Sequence, residues 1–141
     1  MLNEETTARE ATPLLTPWIS GPEHPGDAPV VVSVTEYQAH HRRDIPAVAL
    51  KGLRMRMGWY AMPGAVGLWL WSVPTAGCSG SVSVWTTTEA LDRFIQLPHH
   101  IDIMRRYRSR GTVRSTTWTA ELFDRDDVLA RARDWINRRP A

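Results

Sequence analysis

One cysteine, one lysine and two phenylalanines are all that this chain of 141 residues holds of those three types. The lone Cys78 excludes an intramolecular disulfide and any multi-cysteine metal cage. Long apolar runs are missing as well. A membrane-spanning helix needs ~20 apolar residues, and the best candidate, 61–73, is interrupted by Pro63, Gly64 and Gly67. There is no Cys-x-x-Cys-His motif, no internal repeat and no low-complexity tract. What is present is ordinary in bulk, with 43% apolar and 23% charged residues. That balance and length fit one soluble globular domain and exclude a disordered, fibrous or membrane-spanning chain. Two counts stand out: seven tryptophans and sixteen arginines.

The formal charge is only +2, but it is unevenly spread. Residues 1–29 carry a net −4, residues 30–104 a net +1 and residues 105–141 a net +5. The basic cluster Arg105, Arg106, Arg108, Arg110 and Arg114 comes with no helix-turn-helix, RNP-type signature or zinc knuckle. Four of these arginines close a helix, where the macrodipole favours cations, so nucleic acid is not an expected partner. The acidic, polar start Met-Leu-Asn-Glu-Glu-Thr-Thr is unlike a secretory or transit peptide, and the expectation is a cytoplasmic protein.

Residues 1–29 hold half of the ten prolines and read as an N-terminal arm, anchored by Leu14, Leu15, Trp18 and Ile19. Residues 30–141 read as a single domain. The β-branched run Val30–Tyr37 predicts a strand. Asp44 and Pro46 predict a helix start, with Ile45, Ala49, Gly52, Leu53, Trp59 and Tyr60 on its apolar face. Lys51, Arg54 and Gly58 fall on the other face, and Arg56 sits in the middle of the apolar one. Residues 65–73, with Leu68 and Leu70 alternating with Trp69 and Trp71, read as a strand. Pro74–Gly80 reads as a loop and Ser81–Trp85 as another strand. Thr86 and Glu89 have capping-box spacing ahead of the stripe Ala90, Leu91, Phe94 and Ile95. Pro98 breaks that helix, and a second piece runs from His99 to Arg110 with Gly111 as its C-cap. Thr112–Ala120 is a Thr-rich strand. A last amphipathic helix over Asp124–Arg139 buries Val128, Ala132, Trp135 and Ile136.

The order β-α-β-β-α-β plus a C-terminal helix is that of a ferredoxin-like α+β fold with an antiparallel sheet. Such a sheet leaves one face without helices. Trp69, Trp71, Trp85 and Trp118 need more cover than two helices give, so the patterning predicts a homodimer.

Ser83-Val84-Trp85, Glu89-Ala90-Leu91, Phe94, Pro98-His99-His100 and Met104-Arg105-Arg106-Tyr107-Arg108 together resemble the strand-to-helix segment of the dimeric α/β-barrel superfamily. The pattern is similar to antibiotic biosynthesis monooxygenase-type domains, over about Ser81 to Trp118. More loosely, Arg54–Tyr60 followed by Pro63-Gly64 and an aromatic strand is similar to spheroidene monooxygenase, a haem-associated relative. The resemblance implies a dimeric α/β barrel and an oxidoreductase, either cofactor-free or haem-dependent. The superfamily also contains isomerases, lyases and non-enzymatic members, and a fold does not fix a reaction.

The family pattern places a histidine four residues before the methionine, which selects His100, and helical spacing independently sets His100 beside Met104, Tyr107 and Ile103. Its expected roles are general base, ligand-binding group or, with haem bound, the iron ligand. Arg56 and Arg114 are the expected anion stabilisers. Trp69, Trp71, Trp85, Trp118 and Tyr60 are expected to wall a flat pocket. Ser83 and Arg114, on strands, are expected to face the same pocket. Cys78 has no base to pair with, and His24, His40 and His41 lack the spacing of a compact metal site. The functional expectation is a monooxygenase-like enzyme acting on a hydrophobic aromatic or polyene-like substrate. A non-redox cyclase, isomerase or lyase, or a non-catalytic ligand-binding dimer, is the alternative.

Overall fold

The computed structural model describes residues 12–138. The readings made on the first eleven residues and on Arg139 lie outside the described residues. Six strands and four α-helices follow one another as β1 (Leu14–Leu15), β2 (Ile19–Ser20), β3 (Val30–Ala39), α1 (Ile45–Met57), β4 (Ala65–Val73), β5 (Cys78–Trp85), α2 (Thr88–Ile95), α3 (Pro98–Tyr107), β6 (Gly111–Ala120) and α4 (Arg125–Asn137). All pairings are antiparallel, and the four long strands lie in the order β4-β5-β3-β6. This interleaved order is the ferredoxin-like arrangement, and the fold class is α+β as the element order predicts.

The register decides which side chain meets which. Ser33 stands opposite Ser83 on one side and Thr117 on the other, while Glu36 stands opposite Arg114. Because side chains alternate between faces, Ser33, Thr35 and Tyr37 look toward α1, α2 and α3. Val32, Val34 and Glu36 look the other way, toward α4.

The face toward α4 is not bare. Val128, Ala132 and Ile136 of α4 are buried against Val30, Val32, Val34, Val82 and Val84. Trp69 and Trp71 join this core, and Trp18, Trp118 and Trp135 pack against it. The cover that the tryptophans require is thus supplied within one chain by α4 and the arm. The patterning argument for a second copy is met without one. On the opposite face, Trp59, Leu68 and Trp85 pack with Ala90 and Leu91. A smaller cluster joins Tyr37, Ala39, Ile45 and Tyr107.

Residues 12–29 run along the outer edge of β4. β1 and β2 each pair with it, and the Thr16, Gly21 and Glu23 amides donate to the Leu70, Val66 and Ala65 carbonyls. The Trp18 ring occupies the space where a side chain at Gly67 would project, so the glycine admits the anchor.

Several local expectations are corrected. The cap of α2 is Thr87, whose hydroxyl accepts from the Ala90 amide at 3.0 Å. The Thr86 hydroxyl instead donates to the Gly64 carbonyl. Asp44 precedes α1 but makes no side-chain cap. That helix stops at Met57, and Trp59–Ala61 form a separate 3-10 turn. β5 begins at Cys78, so the predicted loop shrinks to a tight turn closed by Gly77 at φ 69°. Cys78 is fully buried, with its Sγ 3.4 Å from Gln38 Oε1. Gly111 does follow the last helical turn, the 3-10 piece Arg108–Arg110, but with extended rather than left-handed backbone, and it opens β6.

Candidate functional site

Between the sheet and the helices lies a cavity of about 360 Å³, a size that suits a small organic ligand. Its floor follows from the register. Leu70, Ser81 and Thr35 form one cross-strand row, and Ser72, Ser79 and Tyr37 form the next. The walls are Val48, Ala49, Lys51, Gly52, Leu53 and Met55 of α1, with His100 and Ile103 of α3. Leu14, Leu15 and Thr16 of the arm close the side at β4. An added Cβ at Gly52 would sit 3.3 Å from Leu70 Cδ1, so a larger residue there would crowd the space between helix and floor.

His100 is half-buried, with its ring 4.7 Å from Phe94. Its Nδ1 lies 3.1 Å from the Ile95 carbonyl oxygen. A carbonyl only accepts, so this contact selects the tautomer in which Nδ1–H donates and Nε2 keeps its lone pair. Burial pushes the imidazole below its ordinary pKa, opposed by the Ile95 hydrogen bond and aided slightly by His99. Both effects describe a neutral base at neutral pH. Tyr37 donates its hydroxyl to the Tyr107 carbonyl at 3.1 Å, and burial raises its pKa, with Asp44 and Tyr107 adding to the rise. It therefore contributes a neutral edge to the cavity rather than a phenolate.

Of the residues singled out from sequence, the structure brings only His100 and Trp71 to this cavity. Trp71 borders it while its ring packs over Gly80 in the core toward α4. Arg56 is half-buried and turns to the arm, donating from Nη2 to the Pro17 carbonyl at 3.0 Å. Arg114 lies on the opposite face of the sheet. It is bound to the buried Glu36 at 2.9 Å, donates to the Trp135 and Ile136 carbonyls, and stacks on Trp135 at 3.8 Å. Trp69 contacts Trp18 on that same face, and Arg131 lies 4.4 Å over Trp118. Ser83 accepts from Trp85 Nε1 at 2.9 Å, and Trp85 packs with Trp59 and Phe94, so both belong to the core. Tyr60 is exposed beyond the end of α1. The hydroxyls of Thr35, Ser72, Ser79 and Ser81 were not anticipated, since their grouping depends on strand register.

Haem does not fit this cavity. Its volume is near the lower limit for small-molecule pockets, and two propionates would find one ammonium, Lys51, and no arginine. Among the described residues no group of three His, Cys, Asp or Glu could hold a metal ion, and no helix is long and apolar enough to cross a membrane.

The ferredoxin-like fold is similar to that of solved antibiotic biosynthesis monooxygenase-type proteins. SnoaB, a cofactor-independent oxygenase from Streptomyces nogalater, is 20% identical, with a TM-score of 0.53 over 66% of this chain and 94% of that one. A putative antibiotic biosynthesis monooxygenase from Deinococcus radiodurans is 13% identical, with a TM-score of 0.57 over 64% and 91%. A ferredoxin-fold protein from Listeria monocytogenes, related to antibiotic biosynthesis monooxygenases, is 16% identical, with a TM-score of 0.55 over 77% and 64%. At these identities the likeness is one of fold. No protein-family model matches the chain, and no curated protein matches it.

Proposed function

We propose that the protein is a cofactor-free, monooxygenase-like oxidoreductase of specialised metabolism, acting as a cytoplasmic homodimer on a hydrophobic, phenolic aromatic substrate. The observation that carries this reading is His100: a neutral imidazole with Nδ1 tied to Ile95, bordering a largely apolar cavity. The floor hydroxyls of Thr35, Ser72 and Ser81 are suited to orient substrate oxygens over the sheet.

In this mechanism Nε2 of His100 removes a proton from an acidic methylene of the substrate's keto tautomer. The carbanion gives its electrons to dioxygen and forms a C–O bond. The resulting peroxide anion takes the proton back from the imidazolium. Loss of the second methylene hydrogen as a proton, with O–O cleavage, leaves a ketone and one water. The substrate supplies all four electrons that reduce dioxygen, so no external reductant enters the balance. Closing the site with apolar walls protects the carbanion from premature protonation by water.

Oxygen uptake by the purified protein with bicyclic and tricyclic phenols tests the proposal. His100→Ala is expected to lower turnover by about 10²–10⁴-fold, the usual contribution of a general base, while ligand binding persists. Product formed at full rate without oxygen would refute the oxygenase reading in favour of an isomerase or lyase. A strong absorption band near about 400 nm, lost in His100→Ala, would return haem to the site.

A further inference from the structure

We infer that Lys51, the single lysine of the chain, is the anion-recognition group of the cavity, and that the ligand is a small fused-ring aromatic carrying a carboxylate. The inference rests on the aromatic-ligand reading of this cavity and specifies the charge of its occupant.

The argument begins with the cavity's lining. Among the described residues, Lys51 and His100 are the basic side chains that border it, and no carboxylate and no arginine does. His100 is held toward its neutral form by burial. The fixed positive charge of the wall is therefore the Lys51 ammonium, which has no ion pair with any described carboxylate. Elsewhere Arg114 is paired with Glu36, and Arg56 turns away from the cavity, donating from Nη2 to the Pro17 carbonyl while its buried Nε has no hydrogen-bond partner. Lys51 sits half-buried on the flank of α1, one turn before Met55 and beside Gly52, both of which also border the cavity. A cation bordering an apolar space gains from an anion supplied by a ligand. A lysine suits that role better than an arginine here. Its compact ammonium and flexible stem can follow one carboxylate across a small cavity, whereas a guanidinium would offer the same charge as a two-pronged fork that takes more room.

The charge also serves the proposed chemistry. Removing a proton from the substrate places negative charge on its oxygen, and a nearby ammonium stabilises that charge. Lys51 is thus assigned as a binding and positioning residue, with His100 as the proton acceptor.

The experiment compares two fluorescent probes, 1-hydroxy-2-naphthoate and the uncharged 1-naphthol, binding to the full chain and to Lys51→Met, Lys51→Gln and Lys51→Arg. The wild type is expected to prefer the carboxylate. Lys51→Met and Lys51→Gln should lower that preference by roughly five- to tenfold, as for loss of a partly exposed charge-assisted contact, and leave 1-naphthol binding within about twofold. Lys51→Arg should keep much of the preference. Binding of both probes without preference, or a preference that Lys51→Met retains, overturns the assignment of Lys51 and leaves the aromatic pocket standing. Loss of both probes in Met and Gln variants alike makes Lys51 a packing residue and also overturns it. If neither probe binds the wild type, the aromatic-ligand reading fails and this inference fails with it.

Discussion

His100 and Arg114 show how differently two polar residues of similar promise behave once their partners are known. His100 titrates below an ordinary histidine because burial disfavours its charged form. The unfolded chain takes up this proton near about pH 6.5, and the folded chain only at a lower pH. Between those two values the unfolded state binds more protons, so stability falls as pH falls through the window and is unaffected above it. Denaturant titrations across that range should show this slope in the wild type and its loss in His100→Gln. The activity profile should carry the same depressed value as its acid limb. Arg114, by contrast, is a fastener between β6, β3 and α4. Arg114→Met would leave Glu36, whose side chain is 5% exposed, without this partner. That substitution should cost about 2–3 kcal/mol, somewhat less than a fully buried pair because the arginine is partly solvated. Turnover per folded molecule should be unchanged. A large loss of turnover at full stability would instead restore Arg114 to the chemistry.

α1 and the arm carry the element-scale lesson. The four long strands and their order along the chain are legible because β-branched and tryptophan-rich alternation has a period of two, whereas the two-residue strands β1 and β2 of the arm are too short to show one. The inward side of the long helix is legible in part. Of the face predicted around Ile45, Ala49, Gly52 and Leu53, Ile45 is buried and the other three border the cavity, where Val48, Lys51 and Met55 join them because apolar residues go almost all round this helix. Two residues depart from that face: Tyr60, predicted on it, is exposed past the end of the helix, and Lys51, predicted on the other side, borders the cavity flank. The signal that marked Lys51 was available in composition, as one lysine among sixteen arginines. Helical periodicity placed His100 correctly on the inward side of α3, while the grouping of Thr35, Ser72 and Ser81 required a register that no local pattern encodes. The α2 cap shifted by one residue because Thr86 and Thr87 are chemically equivalent candidates, and Gly64 engages the first. The arm's seat predicts its own test. Gly67→Ala would push a methyl group into the Trp18 ring, costing about 1–3 kcal/mol if the site cannot relax. Hydrogen exchange should accelerate at the Thr16 and Gly21 amides, which bond to β4, while amides of β3 stay protected.

For the whole molecule, the question is where a second copy binds. Dimeric α/β barrels imply sheets meeting across a helix-free face, but here α4 buries Val128, Ala132 and Ile136 on that face. Displacing the helix would expose this core and break the Arg114 contacts to its last turn. The free edge is strand β6, which among the described residues pairs with β3 alone. Half of its ten residues are Ser or Thr, with Arg114 as its one charged residue and Val113 exposed. A long edge without outward charges is a ready template for another strand. The proposed homodimer is therefore expected to join through β6, leaving each cavity intact on its own chain. Sedimentation equilibrium at micromolar concentration should return twice the 16.0 kDa chain mass, and Val113→Lys with Thr117→Lys should shift the population toward single chains without altering the fold. A wild type that sediments as one chain throughout that range would refute the dimer. A dimer indifferent to the two lysines would move the interface to the exposed Leu50, Met57 and Tyr60 of the α1 region, next to the cavity wall.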